Sequence, residues 1–94
     1  MFLGAYDFEG DADELLTGYD SLMSLIPPES VLVHVCVVRD GGITVLDACP
    51  TRAVFADFST SPEFLAAVHA AGLPAPSVRP VGDVRHAIVR EGAS

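Results

Sequence analysis

The 94-residue chain contains no lysine, no tryptophan and no asparagine. Its five basic residues are all arginines, the first at position 39, whereas seven acidic residues fall within the first thirty positions. The formal net charge is −8, and a field of this sign repels phosphate backbones and anionic lipids. We therefore expect neither nucleic acid nor a membrane surface as a partner.

The chain also has little that would direct it out of the cytoplasm. Its start, MFLGAYDFEG, lacks the basic residues of a signal peptide and turns acidic at Asp7. No apolar run approaches the ~18–20 residues that span a bilayer. The two cysteines, Cys36 and Cys49, match neither a C-x-x-C pair nor a metal ribbon. We expect a cytoplasmic protein with two reduced thiols.

Apolar residues are plentiful and make up 50% of the chain. Ninety-four residues suffice for one domain, so we expect a single domain over 1–94 with a loose tail at 90–94. A chain of this length buries roughly 60–65% of its unfolded surface, which leaves a modest core. Association with a second copy would enlarge that core.

The spacing of apolar residues predicts the element order β-α-β-β-α-β. Strands are expected at 2–8, 30–39, 43–49 and 81–89. The Asp-Gly-Gly sequence at 40–42 is typical of a tight hairpin turn between the two central strands. A proline-stiffened connector at 73–80 leads to the last strand, and Pro80 indicates a sheet edge or a strand start.

Two helical regions separate these strands. The first is expected over 11–26, capped by Asp11 and ended by Pro27-Pro28, because proline cannot continue the hydrogen-bond ladder. The second is expected to begin after the cap Thr51 and to restart or kink at Ser61-Pro62. The prediction is an α+β, ferredoxin-like sandwich: a four-stranded antiparallel sheet with two helices on one face.

The stretch IPPESVLVHVCVVRDGGITVLDACPTRAVFADFSTSPEF, together with the element order, resembles small actinobacterial proteins of unassigned activity in the dimeric α+β barrel superfamily. That superfamily includes the antibiotic-biosynthesis monooxygenase-like proteins. The resemblance implies that two sheets pack face to face as a homodimer. It also implies that a small organic molecule or haem binds in a cleft of each subunit. Oxygenases, isomerases, cyclases and non-catalytic binders share the fold, so it predicts assembly better than chemistry.

His34 and Asp47 carry the clearest candidate chemistry. If Asp40-Gly41 forms the turn, His34 lies directly opposite Asp47; if the turn lies one residue later, Cys36 takes that place. In both registers the polar residues share one face of the hairpin. A histidine–aspartate pair orients an imidazole for base catalysis, but it also satisfies a buried carboxylate. Both interpretations stay open.

The other face of strand 30–39 is purely aliphatic, and we expect its valines to pack against the two helices. The face with His34 and Asp47 would then meet the second subunit. This placement departs from the oxygenase members of the superfamily, whose cleft lies between the sheet and the helices. Either the predicted faces are reversed or the oxygenase analogy does not extend to these residues.

Tyr6, Arg85 and His86 are the candidate substrate-binding residues. Tyr6 could donate a hydrogen bond in a cleft, and core packing is its alternative. Arg85 could hold a carboxylate or form an ion pair at a strand edge. His86 alternates with aliphatic residues on the last predicted strand, which is also typical of a core or interface histidine. The cysteines are expected to act as small apolar fillers, and no metal site is predicted.

No cofactor is expected, with haem as the alternative. Haem-degrading members of the superfamily carry a histidine on the second helix, and His69 matches that position. The rest of such a site is missing, because the chain has neither tryptophan nor asparagine. A histidine in the last turn of a helix is also explained by the helix dipole.

The sequence thus predicts a small homodimeric protein with a pocket for a small, apolar organic molecule. If it is an enzyme, cofactor-free oxidation, isomerisation or cyclisation is the expected class. His34 would be the base, Asp47 its orienting partner, and Tyr6 or His86 a hydrogen-bond donor. The alternative is a non-catalytic ligand-binding or interaction module whose polar cluster is structural.

Overall fold

The computed structural model describes residues 1–25 and 31–90. Its elements are β1 (Phe2–Glu9), α1 (Ala12–Met23), β2 (Val33–Arg39), β3 (Gly42–Cys49), α2 (Arg52–Ser59), α3 (Pro62–Ala70) and β4 (Ser77–Asp83). The strands form one antiparallel sheet in the order β2-β3-β1-β4. The predicted ferredoxin-like α+β fold is confirmed, with three helices in place of two.

Each helix begins at a side-chain cap that the sequence predicts. The side-chain oxygens of Asp11, Thr51 and Ser61 accept hydrogen bonds from backbone N–H groups three residues further on, at 3.1, 3.2 and 3.1 Å. Such bonds satisfy donors that have no partner within the helix. Ser61 with Pro62 at the first helical position therefore starts a new helix, α3, rather than a kink in α2.

The first helix ends earlier than expected. It stops at Met23 with Ser24 as its C-cap, whereas the sequence suggested continuation to residue 26. The expected stop at Pro27-Pro28 and the expected strand start at Ser30 lie outside the described residues, as do residues 91–94 of the expected tail.

The hairpin of β2 and β3 adopts the first of the two predicted registers. Arg39 pairs with Gly42, so Asp40 and Gly41 form the two-residue turn. Gly41 has a φ of 82°, a left-handed conformation that glycine adopts without strain. This register places His34 directly opposite Asp47.

The predicted position of the last strand was wrong. β4 covers Ser77–Asp83, most of which was expected to be a connector, and the chain from residue 84 to 90 is irregular. Pro80 lies inside the strand opposite Gly4, next to a shift in register. A proline is tolerated there because β4 is an edge strand and needs hydrogen bonds on one side only. Ile88 and Val89 beyond it are 68% and 72% exposed.

The predicted assignment of the two sheet faces was also wrong. The helices cover the face that carries His34 and Asp47, hereafter the helix-covered face. The strand residues on this face are Phe2, Gly4, Tyr6, Phe8, His34, Cys36, Val38, Ile43, Val45, Asp47 and Cys49. The large aromatic side chains of β1 need the apolar helix surfaces as partners, and the pleat then turns His34 and Asp47 the same way. Leu15, Leu22, Phe55, Phe64 and Val68 are the helical part of this core.

Gly4 lets α2 approach the sheet closely. A Cβ atom at this position would lie 2.0 Å from the Phe55 ring. The same ring packs on Tyr6, with the centroids 5.8 Å apart. The helix therefore rests on β1 at the place where the strand has no side chain.

The opposite face of the sheet, hereafter the open face, carries no helix of the described part of the chain. Its apolar side chains are Leu3, Ala5, Val33, Val35, Val37, Leu46 and Ala48. Val35 and Val37 are 44% and 40% exposed. Aliphatic side chains predicted to be core residues are thus accessible to solvent.

A polar row crosses all four strands at one end of the open face. Thr44 donates to Asp7 at 2.7 Å and accepts from Arg39 at 2.9 Å. Arg79 donates to the other oxygen of Asp7 at 2.6 Å, and Arg39 also donates to Glu9 at 3.0 Å. Hydrogen bonds from Arg79 and Thr44 lower the pKa of the Asp7 carboxyl below its usual range.

Candidate functional site

A cavity of about 280 Å³ lies between the helices and the helix-covered face. It is lined by Tyr6, Phe8, Leu22, Met23, Val31, Leu32, His34, Val45, Asp47, Phe58 and Phe64. Eight of these are hydrocarbon or thioether side chains, and three carry groups that can form hydrogen bonds. An apolar pocket with a few convergent polar groups is typical of a binding site for a small organic molecule.

Three polar side chains form a hydrogen-bonded chain from this cavity to α1. The Nδ1–H of His34 donates to Oδ1 of Asp47 at 2.5 Å, a role that the carboxylate acceptor imposes on Nδ1. The hydroxyl of Tyr19 then donates to Nε2 of the neutral imidazole. The Tyr19 and His34 rings are nearly parallel, with an interplanar angle of 10°. The cross-strand register supplies the first bond, and the position of Tyr19 on α1 supplies the second.

The charges along this chain are linked. The hydrogen bond that His34 donates to Asp47 raises the pKa of His34 above its ordinary value of 6.5, although partial burial acts in the opposite direction. Burial, followed by the nearby Cys36 and Asp47, raises the pKa of Tyr19. The side chain of Asp47 is 8% exposed and that of His34 30%. Accessibility therefore increases from the carboxylate to the imidazole.

Tyr6 brings a second hydroxyl to the cavity. The residue is 2% exposed and packs against Phe55 and Phe64, with ring centroids 5.8 and 5.3 Å away. Its hydroxyl finds no hydrogen-bond partner within residues 1–25 and 31–90. Burial and the charge of Asp47 raise the pKa of this phenol, so the hydroxyl keeps its proton as a donor.

Neither cysteine has the surroundings of a nucleophile. Burial raises the pKa of both Cys36 and Cys49, and Asp20 and Asp47 respectively add to the effect. Both are free thiols that pack with the core. This agrees with their predicted role as small apolar fillers.

Two predicted substrate-binding residues lie away from the cavity. Arg85 and His86 follow the end of β4, are exposed, and do not line the cavity. Because β4 is earlier in the chain than expected, the alternation that suggested a sheet position for His86 does not belong to a strand. Of the three residues predicted to bind substrate, Tyr6 alone lines the cavity.

The described residues do not fit a haem in this cavity. His69 lies on α3 in a separate shallow groove with Val68 and Leu73, and it does not line the cavity. His34 does line it, but Tyr19 and Asp47 occupy both of its ring nitrogens. An iron needs a free imidazole nitrogen, and neither histidine presents one to the cavity.

Sequence reasoning missed two hydrogen-bonding arrangements, one at the cavity and one on the open face. The hydrogen bond between the hydroxyl of Tyr19 and His34 was not predicted. The stripe of α1 that contains Leu15 and Leu22 could have indicated that Tyr19 reaches the sheet. The polar row around Asp7 was missed entirely, because its members are distant in sequence.

No helix within the described ranges has the length and apolar character needed to cross a membrane. The chain matches no known family model and no curated protein sequence. Its fold is similar to that of a crystal structure from Deinococcus radiodurans, described as a candidate antibiotic biosynthesis monooxygenase. The TM-score is 0.65 with 98% of this chain and 100% of that chain covered, and 11% of aligned residues are identical. The predicted resemblance is thus confirmed as a likeness of fold.

Proposed function

We propose that this protein binds a small, largely apolar organic molecule in the cavity and transfers a proton to or from it without a cofactor. The observation that carries this proposal is the chain of hydrogen bonds from Asp47 through His34 to Tyr19. It begins at an apolar cavity, where a positioned acid–base group is most effective, and ends at a half-buried helix position.

The His34–Asp47 pair acts as one acid–base unit in this proposal. Asp47 binds His34 through one carboxylate oxygen, and its second oxygen accepts no hydrogen bond from the described residues. Tyr19 holds Nε2, so a ligand in the cavity meets the pair through Asp47. Asp47 takes the proton from the ligand on its second oxygen, while the Nδ1–H of the neutral His34 stays hydrogen-bonded to the first oxygen, and the two residues titrate as one unit.

The reaction class follows from this first step. Cofactor-free oxidation, isomerisation and cyclisation can each begin with removal of a proton from an activated C–H or O–H group. The cavity volume of about 280 Å³ is close to the lower end of the range of small-ligand pockets, and the side chain of Asp47 is 8% exposed. The fold that the chain shares with the Deinococcus radiodurans protein supports this class by analogy only.

The experiment that tests the proposal is hydrogen exchange on a bound ketone. 2-Tetralone has two fused rings and an activated methylene group, and its exchange in deuterium oxide is followed by NMR. The wild-type protein is expected to accelerate the exchange, and His34→Gln and Asp47→Asn are expected to abolish the acceleration. His69→Gln is the matched control, since His69 lies outside the cavity. A wild-type rate equal to that of buffer contradicts the proposal.

A non-catalytic binding module is the second candidate. It is favoured by the satisfied state of His34, whose two nitrogens both have partners in the protein. In that case 2-tetralone binds with no change in its exchange rate. Binding without exchange therefore assigns the pair to structure and keeps the cavity as the functional feature.

We also propose that a second copy of the chain covers the open face. Two exposed valines in the middle of β2, beside Leu46, form an apolar surface that the described chain leaves uncovered. A small core gains from such association. The sequence predicted a homodimer through the opposite face, and the proposal keeps the dimer and changes the surface.

Two free thiols, Cys36 and Cys49, support a cytoplasmic location.

A further inference from the structure

Tyr6 presents a hydroxyl group that the protein itself does not use. The residue is 2% exposed, and its hydroxyl has no hydrogen-bond partner within the described residues. A buried hydroxyl without a partner is costly, because the group has lost its hydrogen bonds to water. The ring cannot turn away freely, since Phe55 and Phe64 pack against it. This arrangement leaves a donor ready for something that enters the cavity.

Asp47 provides the matching acceptor. In the β1–β3 register Tyr6 pairs with Val45 and Gly4 pairs with Asp47, so Tyr6 and Asp47 are diagonal neighbours on the helix-covered face. Both residues line the cavity, so the two side chains face the same space. One oxygen of Asp47 binds His34, and the other is available to a ligand.

We infer that Tyr6 and Asp47 together bind a hydroxyl group on an otherwise apolar, uncharged molecule. Tyr6 donates to the ligand oxygen, and the ligand hydroxyl donates to the second oxygen of Asp47. The inference rests on the proposed function, because it assigns a ligand class to the same cavity. Tyr6 is a specificity residue in this arrangement, and the proton-transfer step belongs to the His34–Asp47 pair.

The lining residues of the cavity favour an uncharged ligand over an anion. Among the described lining residues, His34 and Asp47 are the two ionisable groups besides Tyr6, and they neutralise one another when the imidazole is protonated. No arginine lines the cavity to meet a ligand carboxylate or phosphate. An engineered cavity of ~150 Å³ holds one benzene ring, so a cavity of about 280 Å³ has room for two fused rings.

Three probes of similar shape separate the two predicted hydrogen bonds. 2-Naphthol can accept from Tyr6 and donate to Asp47, 2-methoxynaphthalene can only accept, and naphthalene can do neither. At pH 7 we expect wild-type affinities to fall in that order, by roughly tenfold or more when the charge-assisted bond to Asp47 is lost and by about fivefold when the neutral bond from Tyr6 is lost. In Tyr6→Phe the preference for 2-methoxynaphthalene over naphthalene should disappear, while naphthalene binds as before. Binding is measured by calorimetry or by the fluorescence of the naphthalene ring.

The outcomes distinguish this inference from the function on which it rests. If wild type and Tyr6→Phe bind the three probes with the same ratios, the role of Tyr6 is wrong, while the cavity and the proton transfer stand. If wild type binds none of the probes and does not exchange 2-tetralone, both fail. If Tyr6→Phe does not fold, the order of the three probe affinities in wild type tests the inference, and equal affinities contradict it. Thermal unfolding of unliganded Tyr6→Phe should match or exceed that of wild type, and a marked loss of stability would show that the hydroxyl has a partner in the protein.

Discussion

The two faces of the sheet differ in what they do with polar groups. On the helix-covered face, buried aromatic rings surround one histidine–aspartate pair and a hydroxyl that has no partner among the described residues. On the open face, exposed valines lie beside a row of arginine, threonine and aspartate side chains that all have partners. Polar groups with spare hydrogen-bonding capacity thus border a cavity, whereas the satisfied ones border a flat surface. We assign ligand chemistry to the first face and assembly to the second.

The largest expected effect comes from a charge on the open face. Val35→Asp would place one carboxylate from each copy in the interface, where an unpaired charge is very unfavourable. We expect the dissociation constant of the dimer to rise by about 100-fold or more, as measured by analytical ultracentrifugation. Val38→Asp is the matched control, because Val38 lies three residues along the same strand, is 56% exposed and belongs to the other face. If Val38→Asp dissociates the protein and Val35→Asp does not, the assignment of the interface to the open face is wrong.

Gly4→Ala tests the close packing of the helix-covered face. The new methyl group would overlap the Phe55 ring, and overpacking of this kind is expected to cost about 3 kcal/mol in the free energy of unfolding. Urea denaturation measures the loss. Phe55→Leu removes part of the ring, so the double variant should lose less stability than the sum of the two single variants. Additive losses would show that the methyl group and the ring do not meet.

Removing a carboxylate should cost more on the helix-covered face than on the open face. Asp47→Asn weakens a nearly buried, charge-assisted hydrogen bond to His34, and we expect a loss of about 2 kcal/mol. Asp7→Asn weakens bonds to exposed Arg79 and to Thr44, where solvent screens the charges, and its loss should be smaller. Parallel urea titrations give both values. A reversed order would contradict the contrast in burial between the two pairs.

The smallest expected effect is a pH dependence of opposite sign on the two faces. The pKa of His34 is raised in the folded protein, so its contribution is complete below the ordinary value of 6.5 and is lost as the pH rises through the folded value. The pKa of Asp7 is lowered, so its contribution is present above the ordinary value of 3.8 and is lost as the pH falls. Melting temperatures of His34→Gln should lack the first slope, and those of Asp7→Asn the second. If the variants keep the wild-type dependence of melting temperature on pH, His34 and Asp7 do not cause it.

The sequence reduced the residue opposite Asp47 to two candidates, His34 and Cys36, and a physical rule explains why. A two-residue Asp-Gly turn sets the register of the hairpin, and the register decides which residues lie opposite one another. The caps of all three helices were predictable because each cap side chain accepts from a backbone N–H group only three residues further on. The element order and the likeness of fold followed from these local features.

The features that were predicted wrongly depend on distant contacts. Alternation along β2 shows that His34 and Val35 point to opposite faces, but it does not say which face the helices cover. That choice depends on Tyr6 and the other aromatic residues of β1, which are about thirty positions away along the chain. The position of β4 depends on its pairing with β1, and local alternation favoured 81–89 over Ser77–Asp83. Tyr19 meets His34 only because of how α1 crosses the sheet.

The pH profile of 2-tetralone exchange tests the central claim most directly. If the His34–Asp47 pair removes the proton, the rate catalysed by wild type should rise with pH as His34 becomes neutral and should then reach a plateau. The midpoint of the rise should lie above pH 6.5. His34→Gln should show no such plateau. A wild-type rate that only follows the hydroxide-dependent rise of buffer would contradict proton transfer by this pair.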